Sequence, residues 1–249
     1  MGALECHDGL GVDAVGACVD GVGGASEASC MTLPRTESHD LGKPRWRGRL
    51  HQWAAAYALG AGTTLVALAP TAPKRVAAAI YALSLALLFG VSATYHRVDW
   101  RPAVRAWWRR ADHASIFVLI GGTYTPIALL GVGGETGRHL LVAVWIGVTL
   151  GALLTLFVPR APKMLRALVA LAVGWTAVPY LGDVYRALTA TQMTLIVLGG
   201  LAYSVGAVVY ATKRPNPNPR VFGYHEVFHA LTLVGAGLHF VAVAFVLRA

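Results

Sequence analysis

Charge is scarce in this chain. Asp, Glu, Lys and Arg make up 13% of its 249 residues, while 56% are hydrophobic. A soluble domain carries about 25% charged residues, so the shortage excludes an ordinary soluble enzyme and points to a membrane protein. Acid is scarcer still, with five Asp and Glu beyond residue 40. Alternating ten-residue segments are absent, which excludes a β-barrel. Cysteine is missing beyond Cys30, and Cys6, Cys18 and Cys30 stand 12 residues apart, a spacing that suits no zinc knuckle. The first 40 residues lack a basic start and a continuous apolar stretch, so they do not read as a signal peptide. They also lack apolar periodicity, and residues 1–42 are expected to be a disordered extension, with Met31 as an alternative start.

What is present is apolar sequence in long runs. Seven segments, at roughly 51–69, 76–95, 113–132, 140–158, 164–181, 190–211 and 226–247, each approach the about 20 residues a helix needs to cross the hydrocarbon core. The expected fold is an all-α integral membrane protein with seven transmembrane helices, occupying residues 43–249. Basic residues then orient it. With the N-terminus in the cytoplasm, inner segments hold 15 Lys and Arg and outer segments five. That bias predicts a cytoplasmic N-terminus and an outside C-terminus. Because these charges flank membrane segments rather than gather on one face, the partner they imply is anionic lipid, not nucleic acid. A multi-pass cell-membrane location follows.

The stretch "HEVFH", His225 to His229, has the H-E-x-x-H spacing of helix-borne zinc sites in metalloproteases. The predicted topology gives it a different setting. Helix 7 begins on the cytoplasmic side, helix 2 ends there with "SATYH", and helix 3 starts there with "RADHASIF". His96, Asp112, His225 and His229 therefore converge on one leaflet, where polar groups are costly and usually mark sites. His225 and His229, four apart, share a helical face, and Ser92 and His96 do the same. Three imidazoles beside a carboxylate form a candidate zinc site with an open position for water. Ser92 is a supporting residue around it, against the plainer reading of a hydroxyl bonded to its own helix. Glu226 follows His225 by about 100° of rotation, so it need not face the metal and is expected either to cap its helix or to meet the headgroups. His113 points away from the site. His239, about 15 Å along the axis from His229, is expected to make a contact between helices, with a role in a pocket as the alternative. Pro126 and Pro179 predict kinks, and Gly147 with Gly151 predicts close packing. "WRPAVRAWWRRAD" reads as a segment lying in the headgroups.

"SATYH", "RRADHASIFVLIGGTYTP" and "HEVFHALTLVGAGLHF" together resemble the hemolysin III family, within the superfamily of progestin and adipoQ receptors and alkaline ceramidases. The resemblance covers about residues 43–247. It implies a zinc ion held by three histidines, here His96, His225 and His229. It also implies an aspartate near the bound water, here Asp112, and a serine, here Ser92.

Three roles for such a site stay open. The first is zinc-dependent hydrolysis of a lipid amide or ester, with Asp112 moving the proton. The second is cytolysis, as the family name suggests, although no span carries a polar stripe suited to a pore. The third is receptor-like signalling with structural zinc.

Overall fold

The computed structural model describes residues 43–158 and 160–249; the expected extension at 1–42 lies outside them. Among the described residues all regular structure is helical, apart from one isolated bridge between Asn218 and Phe222. Helix α1 spans Arg49–Ala67, α2 Ala72–Arg97, α3 Pro102–Pro126, α4 Gly134–Phe157, α5 Lys163–Gly174, α6 Leu181–Ala187, α7 Ala190–Thr212 and α8 Tyr224–Arg248. Each of the seven predicted segments is thus helical over most of its length; the fifth, 164–181, is α5 as far as Gly174 and then turns, with α6 beginning only at its last residue. Six stretches are long and apolar enough to cross a membrane; α1 is the exception. Its first turn carries the polar residues Arg49, His51 and Gln52.

The two prolines act differently. Pro126 lacks the N–H that an unbroken helix would use, and the chain after it continues as a π-helical stretch over Ile127–Val132. The predicted kink at Pro179 is a break instead. α5 stops at Gly174, a short 3-10 turn covers Val178–Tyr180, and α6 resumes at Leu181. The tryptophan- and arginine-rich stretch is not a separate interfacial segment, because from Pro102 it forms the first turns of α3. There Trp100 stacks on Trp108 with ring centroids 5.1 Å apart, and the Arg110 guanidinium sits 4.7 Å from the Trp107 ring. Lys43 donates to Asp99 in the loop before α3 and holds that exposed carboxyl below its usual range.

Small residues let the helices approach closely. A Cβ added to Gly151 of α4 would lie 2.2 Å from Phe117 Cε1 of α3, and one added to Gly147 would lie 2.9 Å from Val173 Cγ2 of α5. The expected packing role of this pair is therefore met inside the chain. Tyr81, Phe117, Leu140 and Val144 are fully buried between the helices.

Candidate metal centre

Polar residues of three helices meet at one end of the bundle. His96 ends α2, one turn after Ser92; Asp112 lies in α3; His225 and His229 occupy the first two turns of α8. His96, His225 and His229 form a group whose ligand nitrogens all lie within 4.8 Å of one another. The Nε2 atoms of His96 and His225 are 3.1 Å apart, close enough that a proton or a metal ion must separate their lone pairs. The ring centroids of His225 and His229 stand 4.4 Å apart, and those of His96 and His229 5.1 Å. Asp112 Oδ2 lies 3.8 Å from His96 Nε2, and Ser92 lines the same cavity as that carboxyl. Ser92 is 2% exposed and His229 also 2%. The structure thus assembles all five residues singled out in the sequence.

Two neighbours stand apart from the group. His113 Nδ1 lies 2.7 Å from the Arg109 carbonyl and its Nε2 3.3 Å from the Tyr210 hydroxyl. His239 Nε2 lies 3.0 Å from the Ile196 carbonyl, joining α8 to α7 as an interhelical contact. Glu226 is 1% exposed and faces away from the histidines in its hydrogen bonding. Its Oε2 accepts from Gly223 N at 2.8 Å, closing the first turn of α8, and its Oε1 accepts from Arg47 Nε at 2.6 Å.

The segment ahead of α1 holds this end of the bundle together. Arg45 N donates to the Arg220 carbonyl at 3.1 Å and Trp46 N to the Val221 carbonyl at 3.2 Å. Gly48 then turns into α1 with φ of 75°, and a Cβ there would lie 2.7 Å from His96 Cβ. Only glycine combines that backbone conformation with that approach.

Sequence reasoning missed His51, in the first turn of α1. Its ring stacks on His229, with centroids 3.8 Å apart and planes within 8°. The leaflet argument that found His96 would have found it too, since α1 and α8 start at the same depth. Arg47 was missed as well, because nothing local in sequence pairs a residue with another 179 positions away.

A cavity of about 180 Å³ runs from the histidines into the bundle. That exceeds the about 150 Å³ that admits a benzene ring. Ser92, Asp112, His225 and His229 line one end, while Phe117, Ile120, Leu171 and Trp175 supply apolar wall farther in. Glu226 is not among its lining residues.

Residues 39–240 match the profile of the family described as "Haemolysin-III related". "Hemolysin-3" of Bacillus cereus is 30% identical over 175 residues, covering 70% of this chain and 77% of the relative. "Hemolysin-3 homolog" of Bacillus subtilis (strain 168) is 31% identical over 166 residues, covering 67% and 75%. A rice protein (Oryza sativa subsp. japonica), "Heptahelical transmembrane protein ADIPOR2", is 33% identical over 172 residues, covering 61% and 74%. With its helices, its multi-pass character and this match over most of its length, the chain belongs to the haemolysin-III related family of membrane proteins.

Proposed function

We propose that this protein is a zinc-dependent hydrolase that cleaves an amide or ester bond of a membrane lipid. The observation that carries the reading is a juxtaposition. Three imidazoles within 4.8 Å and a carboxylate 3.8 Å from one of them meet an apolar cavity. The donor set fits zinc, since three histidines with one open position are the ligands of many catalytic sites. The 3.1 Å separation of two of the nitrogens is near the about 3.4 Å spanned by two nitrogens on one tetrahedral ion at about 2.1 Å. Bound there, zinc would polarise a carbonyl and acidify a water molecule.

The chain's own residues would do the rest. His96, His225 and His229 hold the ion, drawing α2 and α8 together. Asp112, on the cavity wall, takes up and passes on the proton of the attacking water. Ser92, on the same cavity wall, would steady the Asp112 carboxyl. The apolar wall around Phe117 and Leu171 accommodates acyl chain and keeps bulk water from the reacting carbonyl. The test is turnover of a ceramide-like amide by purified protein, with released fatty acid measured by mass spectrometry before and after chelation. No release, or release that survives complete removal of metal, sinks the reading.

A second reading is that the ion braces a receptor-like bundle without chemistry. It draws on the same ligands, which tie together helices 129 residues apart in sequence. Under it, metal binding without turnover of any lipid is the result. The names of the Bacillus relatives suggest a third, membrane permeabilisation. It predicts dye release from vesicles on reconstitution, for which the apolar cavity lining offers no water path.

A further inference from the structure

His51 holds an unusual position. It is 3% exposed, and both of its ring nitrogens are buried without a hydrogen-bond partner among the described residues. The His229 carbonyl is close to the ring, but neither nitrogen completes a hydrogen bond to it. One face of the imidazole covers His229, and the ring of Phe89 meets it edge-on at 5.0 Å, offering neither donor nor acceptor. An imidazole buried in this way loses its hydration and gains at most a weak contact with the His229 carbonyl in return, unless something arrives to bond it. His51 also lines the cavity, at the same end as Ser92, Asp112, His225 and His229.

The stacking shows what it can reach. An imidazole binds a metal through a lone pair in its own plane, so an ion held by His229 lies near the plane of that ring. The His51 ring is parallel to it and one ring thickness away, so its lone pair cannot point at the same ion. In keeping with this, His51 is outside the group of nitrogens within 4.8 Å. What it can reach instead is an atom that projects from the ion into the cavity lined by both His51 and His229. We propose that His51 is a ligand-binding residue, forming a hydrogen bond to the oxygen of the molecule that occupies the open position of the three-histidine centre. This rests on the metal reading above. Its place is fixed from behind, because Gly48 and the hydrogen bonds of residues 45–46 set where α1 begins.

Cobalt(II) in place of zinc allows a test that needs no turnover, since its visible spectrum reports on the atoms bound to it. The unmodified protein, His51→Phe and His51→Gln are loaded with cobalt and titrated with acetohydroxamate, whose oxygens bind metal. Phenylalanine keeps a ring against His229 and removes the hydrogen bond, whereas glutamine keeps a donor and an acceptor. His51→Phe is expected to retain about one cobalt per chain and its thermal midpoint. It should bind hydroxamate about three- to tenfold more weakly, the scale of one hydrogen bond, and His51→Gln should recover part of the loss. If His51→Phe does not accumulate, His51→Ala serves the same titration. Loss of cobalt from the variants would make His51 a metal ligand and overturn the proposal. Equal hydroxamate affinity in all proteins would overturn it too, leaving the metal centre standing. Failure of the unmodified protein to take up cobalt would instead sink the metal reading, and this one with it.

Discussion

Glu226 receives two hydrogen bonds, from Arg47 Nε and Gly223 N, and both hold it to the mouth of α8 rather than to the histidines. Glu226→Gln is therefore expected to destabilise the protein by about 1–3 kcal/mol, the cost of weakening a buried bond to a charged group. A thermal melt would read this, and the turnover rate per folded molecule should remain. If Glu226→Gln instead abolishes a turnover that Asp112→Asn spares, Glu226 is the base and the protease-like reading of "HEVFH" returns. Asp112→Asn should keep the metal and lose hydrolysis, because an amide cannot accept the proton of water. His96→Ala, His225→Ala and His229→Ala should each lose most of the zinc seen by elemental analysis, since two imidazoles hold the ion poorly against competing water. Retention of full zinc by any one of them would remove that histidine from the centre. These five positions could be read from the sequence because helical spacing and leaflet depth fix them almost without tertiary knowledge. His51 was within reach of the same leaflet argument but has no partner at helical spacing to draw attention to it, and Arg47 pairs with a residue 179 positions away that nothing local announces.

Among the elements, the turn into α1 carries the most specific demand. Gly48→Ala adds a Cβ against His96 Cβ in a left-handed conformation that alanine adopts at a cost of about 1 kcal/mol or more. The expected outcome is weaker zinc binding, measured by competition with a chelator, together with a lower melting temperature. Unchanged zinc affinity would mean that the turn does not position His96. In α4, Gly151→Val should lower stability by about 1–3 kcal/mol through overpacking against Phe117, with zinc affinity preserved because the contact is remote from the histidines. Helix existence was legible from hydrophobic run length, and all seven predicted segments are helical over most of their length. The discontinuities were less so. A proline announces a missing hydrogen bond, but whether the chain answers with a π-helical stretch, as after Pro126, or with a break, as around Pro179, depends on the neighbours that rescue the freed carbonyls. The polar start of α1 shows the same limit, because a segment called a span from its apolar run is less apolar than its six companions.

For the whole molecule, the 15-to-five excess of basic residues on one set of segments predicts that a reporter fused after Ala249 is active only outside the cytoplasm. A cytoplasmic readout would reverse the assigned face of the metal centre. The order of the ligands along the chain carries a consequence for how the protein is made. The first ligand, His96, ends α2, and the other two open the last helix, 129 and more residues later. A ribosome has thus delivered nearly the entire bundle to the membrane before a second ligand exists. If the three histidines hold a metal as proposed, its capture is the closing act of biogenesis, and a nascent chain arrested before Tyr224 should emerge without it.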